Sequence, residues 1–240
     1  MKKQVSFWSP ENIKQMIILI LVILAFRWSV ASPYHVPTAS MEPTIKVGDR
    51  LLAWKLAYNL KIPFTDYVLF EWGKPEVGDI IVFKYPRDPN IDYVKRVVGV
   101  EGDRVKFSNY TLYINDAAQP RTNHQFDRSI LEDIHDDKSR KVLYKENLNG
   151  KDHWIMSNVQ SSTGFLNPDW PVDSPDHKVS KDSLIVIGDN RDNSTDSRFW
   201  GEVPLSYVRG KAMFVIWSVY SSDTGFLPKI RYSRFGHSLN

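Results

Sequence analysis

The chain has 240 residues, of which 42% are hydrophobic and 25% charged, so it is not a mainly disordered protein; its length fits one large domain or two small ones. A net charge of +3 with no dense Lys/Arg block gives no argument for nucleic acid. Having no cysteine, the chain has no disulfide framework, no Cys-based zinc site and no thiol nucleophile, and either redox compartment suits it.

The first element is apolar. Met16 to Phe26 is uncharged and almost wholly aliphatic, short enough for the core of a secretory signal. Lys2, Lys3 and Lys14 precede it, and Ser29 and Ala31 follow with the spacing of a cleavage site. Read more widely, Ile13 to Ala31 makes a helix of about 28 Å, close to the hydrocarbon thickness of a bilayer. Lys14 and Arg27 then snorkel to opposite interfaces, with Trp8 and Trp28 near the headgroups. The local residues leave signal and anchor both open, with a buried apolar helix in a soluble cytosolic protein as the plainer alternative. As signal or as anchor, the lysine-rich end stays cytoplasmic and the body crosses.

Beyond Ala31 the pattern becomes short β-like runs divided by Gly, Pro, Asn and Asp. Strands are expected at Arg50–Trp54, Ile80–Tyr85, Tyr93–Val100, Arg104–Phe107, Thr111–Ile114, Leu184–Ile187 and Lys211–Trp217. Gly-Asp pairs at 48–49, 78–79, 102–103 and 188–189 read as turns at strand edges. Leu52, Leu56 and Leu60 recur at helix spacing, but extended structure is favoured there. Gln119 to Asp182 is polar and reads as an insertion or small lobe between two parts of one β core.

Three stretches could carry chemistry. Val36 to Ile45 brackets Ser40-Met41 with Pro37 and Pro43, which fix much of the local backbone; alone, it could equally be a linker leaving a membrane. In Asp92 to Gly99, period two puts Tyr93, Lys95 and Val97 on one strand face. Burial of that face would depress the Lys95 pKa, whereas an edge strand would leave an ordinary solvated lysine. Gly188 to Arg198 is dense in short polar side chains, as in a turn that satisfies its own backbone; its Asp spacing does not fit an EF-hand. Two Asn-x-Thr matches, at Asn109 and Asn193, are weak glycosylation sequons. The six histidines show no HExxH spacing, so metal catalysis and a Ser-His-Asp triad are not expected.

In combination, Pro37-Thr38-Ala39-Ser40-Met41-Glu42-Pro43-Thr44, Gly78 to Phe83, Asp92 to Gly99 and Gly188 to Arg198 resemble the successive signature boxes of type I signal peptidases, from about Ser32 to Arg234. The resemblance implies a mainly β protein: a signal-peptidase-like β core with a small polar insertion lobe, preceded by a single N-terminal transmembrane helix. It implies a cytoplasmic tail at 1–12, an anchor at 13–31 and an extracytoplasmic catalytic domain at 32–240 with the lobe at about 119–182. The setting is the inner (cytoplasmic) membrane, with the catalytic domain on the periplasmic side.

The implied chemistry is a Ser–Lys dyad that cuts signal peptides from exported preproteins after small-x-small sequences. Ser40 matches the nucleophile and Lys95 the general base. Thr38, with the Ser40 N–H, matches the oxyanion hole. Ser194 matches the serine that orients the lysine, and Asp196 with Arg198 a supporting ion pair. Val36, Pro37, Ile45, Tyr93 and Val94 match the lining of shallow substrate pockets, and Leu51–Phe64 a membrane-associated surface. The expected partners are preprotein signal peptides and the lipid bilayer, with no nucleic acid, cofactor or metal. A self-cleaving repressor of LexA type would need a DNA-binding domain in place of the apolar start. A conjugation-linked processing peptidase stays closer, and a membrane-tethered, non-enzymatic β binding module is remote. The chain's own Ser29-Val30-Ala31 poses a question of self-cleavage.

Overall fold

The computed structural model describes residues 8–65, 67–124, 128–158, 177–220 and 228–239. Residues 1–7 of the expected tail and 159–176 of the expected lobe therefore lie outside the described residues.

The apolar start is one helix, α1 (Pro10–Ser29). Ser9 caps it, its hydroxyl accepting the Asn12 N–H at 3.3 Å; Pro10 follows at the first helical position, where a missing N–H costs nothing. Arg27 lies in the last turn, beside the negative end of the helix dipole. The helix is long and apolar enough to cross a membrane, and Ile17 to Ile23 are about half exposed on every side. It ends two residues before the expected boundary. Ala31 instead opens an unexpected strand, β1 (Ala31–His35), which pairs antiparallel with β2 (Asp49–Trp54). Ser29, at the end of α1, and Ala31, paired with Trp54 at the start of β1, are both buried, so the chain's own small-x-small stretch is tied into the helix–strand junction.

After a 3-10 turn at Lys55–Ala57 comes a hairpin of β3 (Asn59–Lys61) and β4 (Val68–Glu71). This segment is extended with one tight turn, not an α-helix. It leans on the end of α1, where the Trp28 indole N–H donates to the Thr65 carbonyl at 3.1 Å and the ring packs against Phe64. The outward apolar residues are Trp54, Phe64, Tyr67 to Phe70 and Trp72; Leu51 and Ala53, within the expected membrane surface, are fully buried core.

The next strands are β5 (Ile80–Tyr85), β6 (Asp88–Val100), β7 (Arg104–Ser108), β8 (Thr111–Ile114) and β9 (Ala117–Ala118). The polar lobe contributes β10 (Arg121–Asn123), β11 (Lys141–Leu148) and β12 (Lys151–Asn158), a three-stranded antiparallel sheet. The core resumes at β13 (His177–Lys178), paired with β7, before the expected end of the lobe. It continues through β14 (Ser183–Ile187), the single-turn α2 (Ser197–Trp200), β15 (Val203–Pro204), β16 (Val208–Tyr220) and β17 (Lys229–Ile230).

The main sheet runs β1-β2-β16-β5-β6-β14-β15, with β17 beside β16. Alternation along β6 feeds two apolar clusters. Val97 packs with Ile81, Phe83 and Val186, while Val98 packs with Phe107, Leu112 and Ile185. The strand is thus covered on both faces, which decides the state of the lysine between them.

Candidate active site

Ser40 lies in the turn between β1 and β2, and Lys95 in the middle of β6. The fold brings Lys95 Nζ to 2.6 Å from Ser40 Oγ. Lys95 is 3% exposed and Ser40 8%. Burial takes the lysine out of water and lowers its pKa from 10.5 to about 8; Asp196 and Asp189 pull it up only in part, and Arg198 adds to the depression. A second amine contact, to the Val94 carbonyl at 3.0 Å, uses one N–H. In the neutral amine this leaves the lone pair free to accept the serine proton.

Thr38 Oγ1 lies 3.4 Å from Ser40 Oγ. The Ser40 N–H meets no acceptor among the described residues. A hydroxyl and an unengaged amide therefore stand beside Ser40 Oγ, two donor groups of the kind that can stabilise negative charge.

Around the dyad runs a groove of about 310 Å³. Val36, Pro37, Thr38, Ser40, Tyr93, Val94 and Lys95 line it, as expected, but Ile45 does not. Ile45 is fully buried behind the groove with Met41, because the turn after Pro43 directs it into the core. Tyr34, Leu51, Val82, Ile91 and Asn193 join the lining. They come from segments apart in sequence, and their residue types alone did not mark them. The groove borders an open strand edge. Among the described residues, Asp88 and Asp92 to Val94 of β6 pair with β5, whereas β14 begins to pair with β6 only at Arg96.

Asp196 accepts both the Nε and the terminal N–H of Arg198 at 2.8 Å, as well as the Gly188 N–H at 2.9 Å. Burial would raise its pKa, but Arg198 holds it below the ordinary carboxylate range. Ser194 departs from expectation. Its hydroxyl donates to Asp196 Oδ2 at 2.7 Å, while the lysine's hydrogen bonds go to Ser40 and Val94. The buried carboxylate two residues on is the stronger acceptor. Gly188 permits this closeness, since a Cβ there would lie 2.2 Å from Ser194 Oγ and 2.4 Å from the Ser40 carbonyl oxygen.

Sequence reasoning missed three buried partners. Arg96, next to Lys95, makes a two-pronged bond to Asp189 at 2.9 and 2.7 Å, and Thr44 donates to the same carboxylate at 2.6 Å. Arg191 pairs with Glu146 of the lobe, whose pKa burial would raise but Arg191 and His153 bring down to about 2. Asn190, fully buried, reaches the Ala39 carbonyl. The Gly188–Arg198 motif contained three of these residues, Asp189, Asn190 and Arg191, but nothing local showed which partners they would take. No cluster of three or more His, Cys, Asp or Glu side chains suited to a metal occurs among the described residues.

A family model described as "Signal peptidase, peptidase S26" matches residues 9–217. Signal peptidase I of Pseudomonas fluorescens is 33% identical over 91% of this chain and 75% of its own length. Signal peptidase I of Aquifex aeolicus is 33% identical over 87% and 84%. A crystal structure of a signal peptidase I from Enterococcus faecalis overlays 57% of this chain and 96% of its own, at 25% identity and a TM-score of 0.34, too low to bear on the fold.

Proposed function

The chain belongs to the signal peptidase family, peptidase S26, a family of membrane-associated serine endopeptidases, and from that premise we propose that Ser40 and neutral Lys95 perform its peptide hydrolysis. The observation that carries the assignment is the 2.6 Å contact between a serine hydroxyl and a buried lysine whose pKa is down to about 8.

As the Lys95 amine takes the Ser40 proton, Oγ attacks the scissile carbonyl carbon. The carbonyl oxygen becomes an oxyanion held by the Thr38 hydroxyl and the Ser40 N–H; one such donor is worth about 3–4 kcal/mol. The Lys95 ammonium then protonates the leaving amine, and the acyl group stays on Ser40. A water, deprotonated by the regenerated amine, attacks the ester carbonyl; the C–Oγ bond breaks, the ammonium returns its proton to Ser40 Oγ, and the cut signal peptide leaves. Asp196 and Arg198 support the lysine's surroundings, and Ser194 acts on them through Asp196.

The substrate is the signal peptide of an exported preprotein, bound as an added strand along the open edge of β6. Backbone hydrogen bonds supply affinity, and the shallow lining of Val36, Pro37, Tyr93 and Val94 admits only small side chains on either side of a free position. Helix α1 anchors the enzyme in the cytoplasmic membrane. The lysine-rich tail of about residues 1–12 stays inside, and the domain from about 32 onward lies on the periplasmic side. The outward aromatics of the β3–β4 hairpin, beside the end of α1, support a groove held close to the lipid.

The test is cleavage of a preprotein by the full chain in detergent, with sequencing of the new N-terminus. Cleavage after small-x-small is expected, lost by at least about 1,000-fold in Ser40→Ala and in Lys95→Ala. Because only the neutral amine works, kcat/KM should rise as pH increases through about 8 and level off above it. Full activity in either variant, or a flat pH profile, would refute the dyad.

A further inference from the structure

We infer that Asn190 is a positioning residue for the oxyanion hole, and that the polar lobe serves the reaction by holding Asn190 in place. The inference rests on Ser40 being the nucleophile.

The geometry starts from the peptide plane between Ala39 and Ser40. This bond is trans, so its carbonyl and its N–H point in opposite directions. Whatever fixes the Ala39 oxygen therefore aims the Ser40 N–H. Asn190 Nδ2 donates to that oxygen at 3.0 Å from across the fold, and the Glu42 N–H takes it from within the turn, also at 3.0 Å. The Asn190 backbone N–H also holds the Ser40 carbonyl at 3.1 Å. One residue thus grips the peptide planes on both sides of the nucleophile. The Ser40 N–H, turned away from both, is left without an acceptor among the described residues.

The Asn190 side chain can sit only one way round. Its Oδ1 accepts from Lys141 Nζ at 3.2 Å, and its Nδ2 also donates to Asp136 Oδ2 at 2.9 Å. A flipped amide would set its NH₂ against the ammonium and its oxygen against both the carboxylate and the Ala39 carbonyl. Lys141, on β11, and Asp136 belong to the lobe and pair with each other at 2.7 Å. The lobe grips the same turn through its backbone: the Met156 N–H donates to the Asp189 carbonyl, and the Arg191 N–H to the Met156 carbonyl. Asn190 lies between these two bonds.

The test compares wild type with Asn190→Asp, which keeps the shape but replaces the donor to Ala39 with an oxygen. The full chain is assayed in detergent on a preprotein. A peptide aldehyde ending in alanine serves as probe of the hole, because its adduct on Ser40 carries the oxygen that the hole receives. In Asn190→Asp, kcat should fall about 10- to 100-fold with KM within about twofold, since full loss of a donor costs about 100- to 1,000-fold. Affinity for the aldehyde should fall by the same factor as kcat. In Asn190→Ala, which adds no charge, the pH midpoint near 8 should stay, because the lysine is untouched; Asn190→Asp sets a carboxylate close to Lys95, so its midpoint is not the readout. Lys141→Met, which frees the amide to turn, should show the same pattern more weakly, and Asn190→Ala takes the place of Asn190→Asp if that variant does not fold. Unchanged kcat, a loss confined to KM, unchanged aldehyde affinity or, in Asn190→Ala, a moved pH midpoint would each overturn the inference. Ser40→Ala separates the two claims. If it still cleaves, the nucleophile reading fails; if it is dead while Asn190→Asp is fully active, only the role of Asn190 fails.

Discussion

Lys95 and Arg96 are neighbours on one strand, both cationic by type, both about as deeply buried at 3% and 5% exposed. On the groove side Lys95 faces a serine and a carbonyl, with no carboxylate in hydrogen-bond contact. On the opposite side Arg96 has a two-pronged carboxylate, Asp189, and the Gly78 carbonyl as well. The two carboxylates that pull on the lysine are each bonded to an arginine: Asp189 to Arg96, and Asp196 to Arg198. Arginine stays charged and takes a planar acceptor in a fixed fork, whereas lysine gives up its proton when water is excluded. Here the acidic groups are tied up by arginines, leaving the lysine to go neutral.

The sharpest way to break this contrast is Lys95→Met, which removes the uncompensated cation. Cleavage should be lost, yet the protein should gain stability. Because the folded pKa is depressed to about 8, the folded state binds fewer protons than the unfolded chain between about 8 and the ordinary 10.5. The penalty is complete below pH 8 and disappears as pH rises through 10.5. Thermal melting in detergent at pH 7 should favour Lys95→Met by up to about 3 kcal/mol, a gap that closes towards pH 10.5.

The mirror experiment is Asp189→Asn, which strips Arg96 of its charge partner. A buried cation left alone costs about 3–5 kcal/mol, so melting should fall steeply where Lys95→Met raises it. Equal and small effects from both would mean that the two environments do not differ as described. A milder change, Arg198→Met, leaves Asp196 with the Gly188 and Ser194 bonds but without its cation. Its full charge then acts on the lysine, whose pKa should rise. The pH profile of kcat/KM should move to higher pH, with a loss of about three- to tenfold at pH 7. An unmoved midpoint would mean that Asp196 does not act on Lys95.

The Gly-Asp turns show how far local sequence carries. At 48–49, 78–79 and 102–103 the glycine has positive φ, and the aspartate accepts the N–H three residues before it, from Lys46, Glu76 and Val100 at 2.8, 3.2 and 3.0 Å. Such turns follow from glycine's missing Cβ and aspartate's short acceptor, so they were legible. The fourth pair looks the same in sequence and works differently. Gly188 is needed for the close approach of Ser40 and Ser194, and Asp189 takes Arg96 and Thr44. Both partners come from elsewhere in the chain, so no local rule could have named them. The same holds for Ile45, which lies in the signature around Ser40 but faces the core.

By itself the sequence determined the β character, the apolar helix, most strands of the main sheet and, through its ordered motifs, the family, and it singled out Ser40 and Lys95 as the pair to look for. Those features rest on period, turn chemistry and residue type, which act over a few neighbours. Only the tertiary structure decided that Lys95 is buried against Ser40, 55 residues away, with its nearest carboxylates bound to arginines. It also decided that Asn190 holds the Ala39 carbonyl across 151 residues, and that the lobe holds Asn190. A lysine's pKa and an amide's direction depend on which groups exclude water and which donors arrive through space, and the folding of distant segments onto one another fixes both.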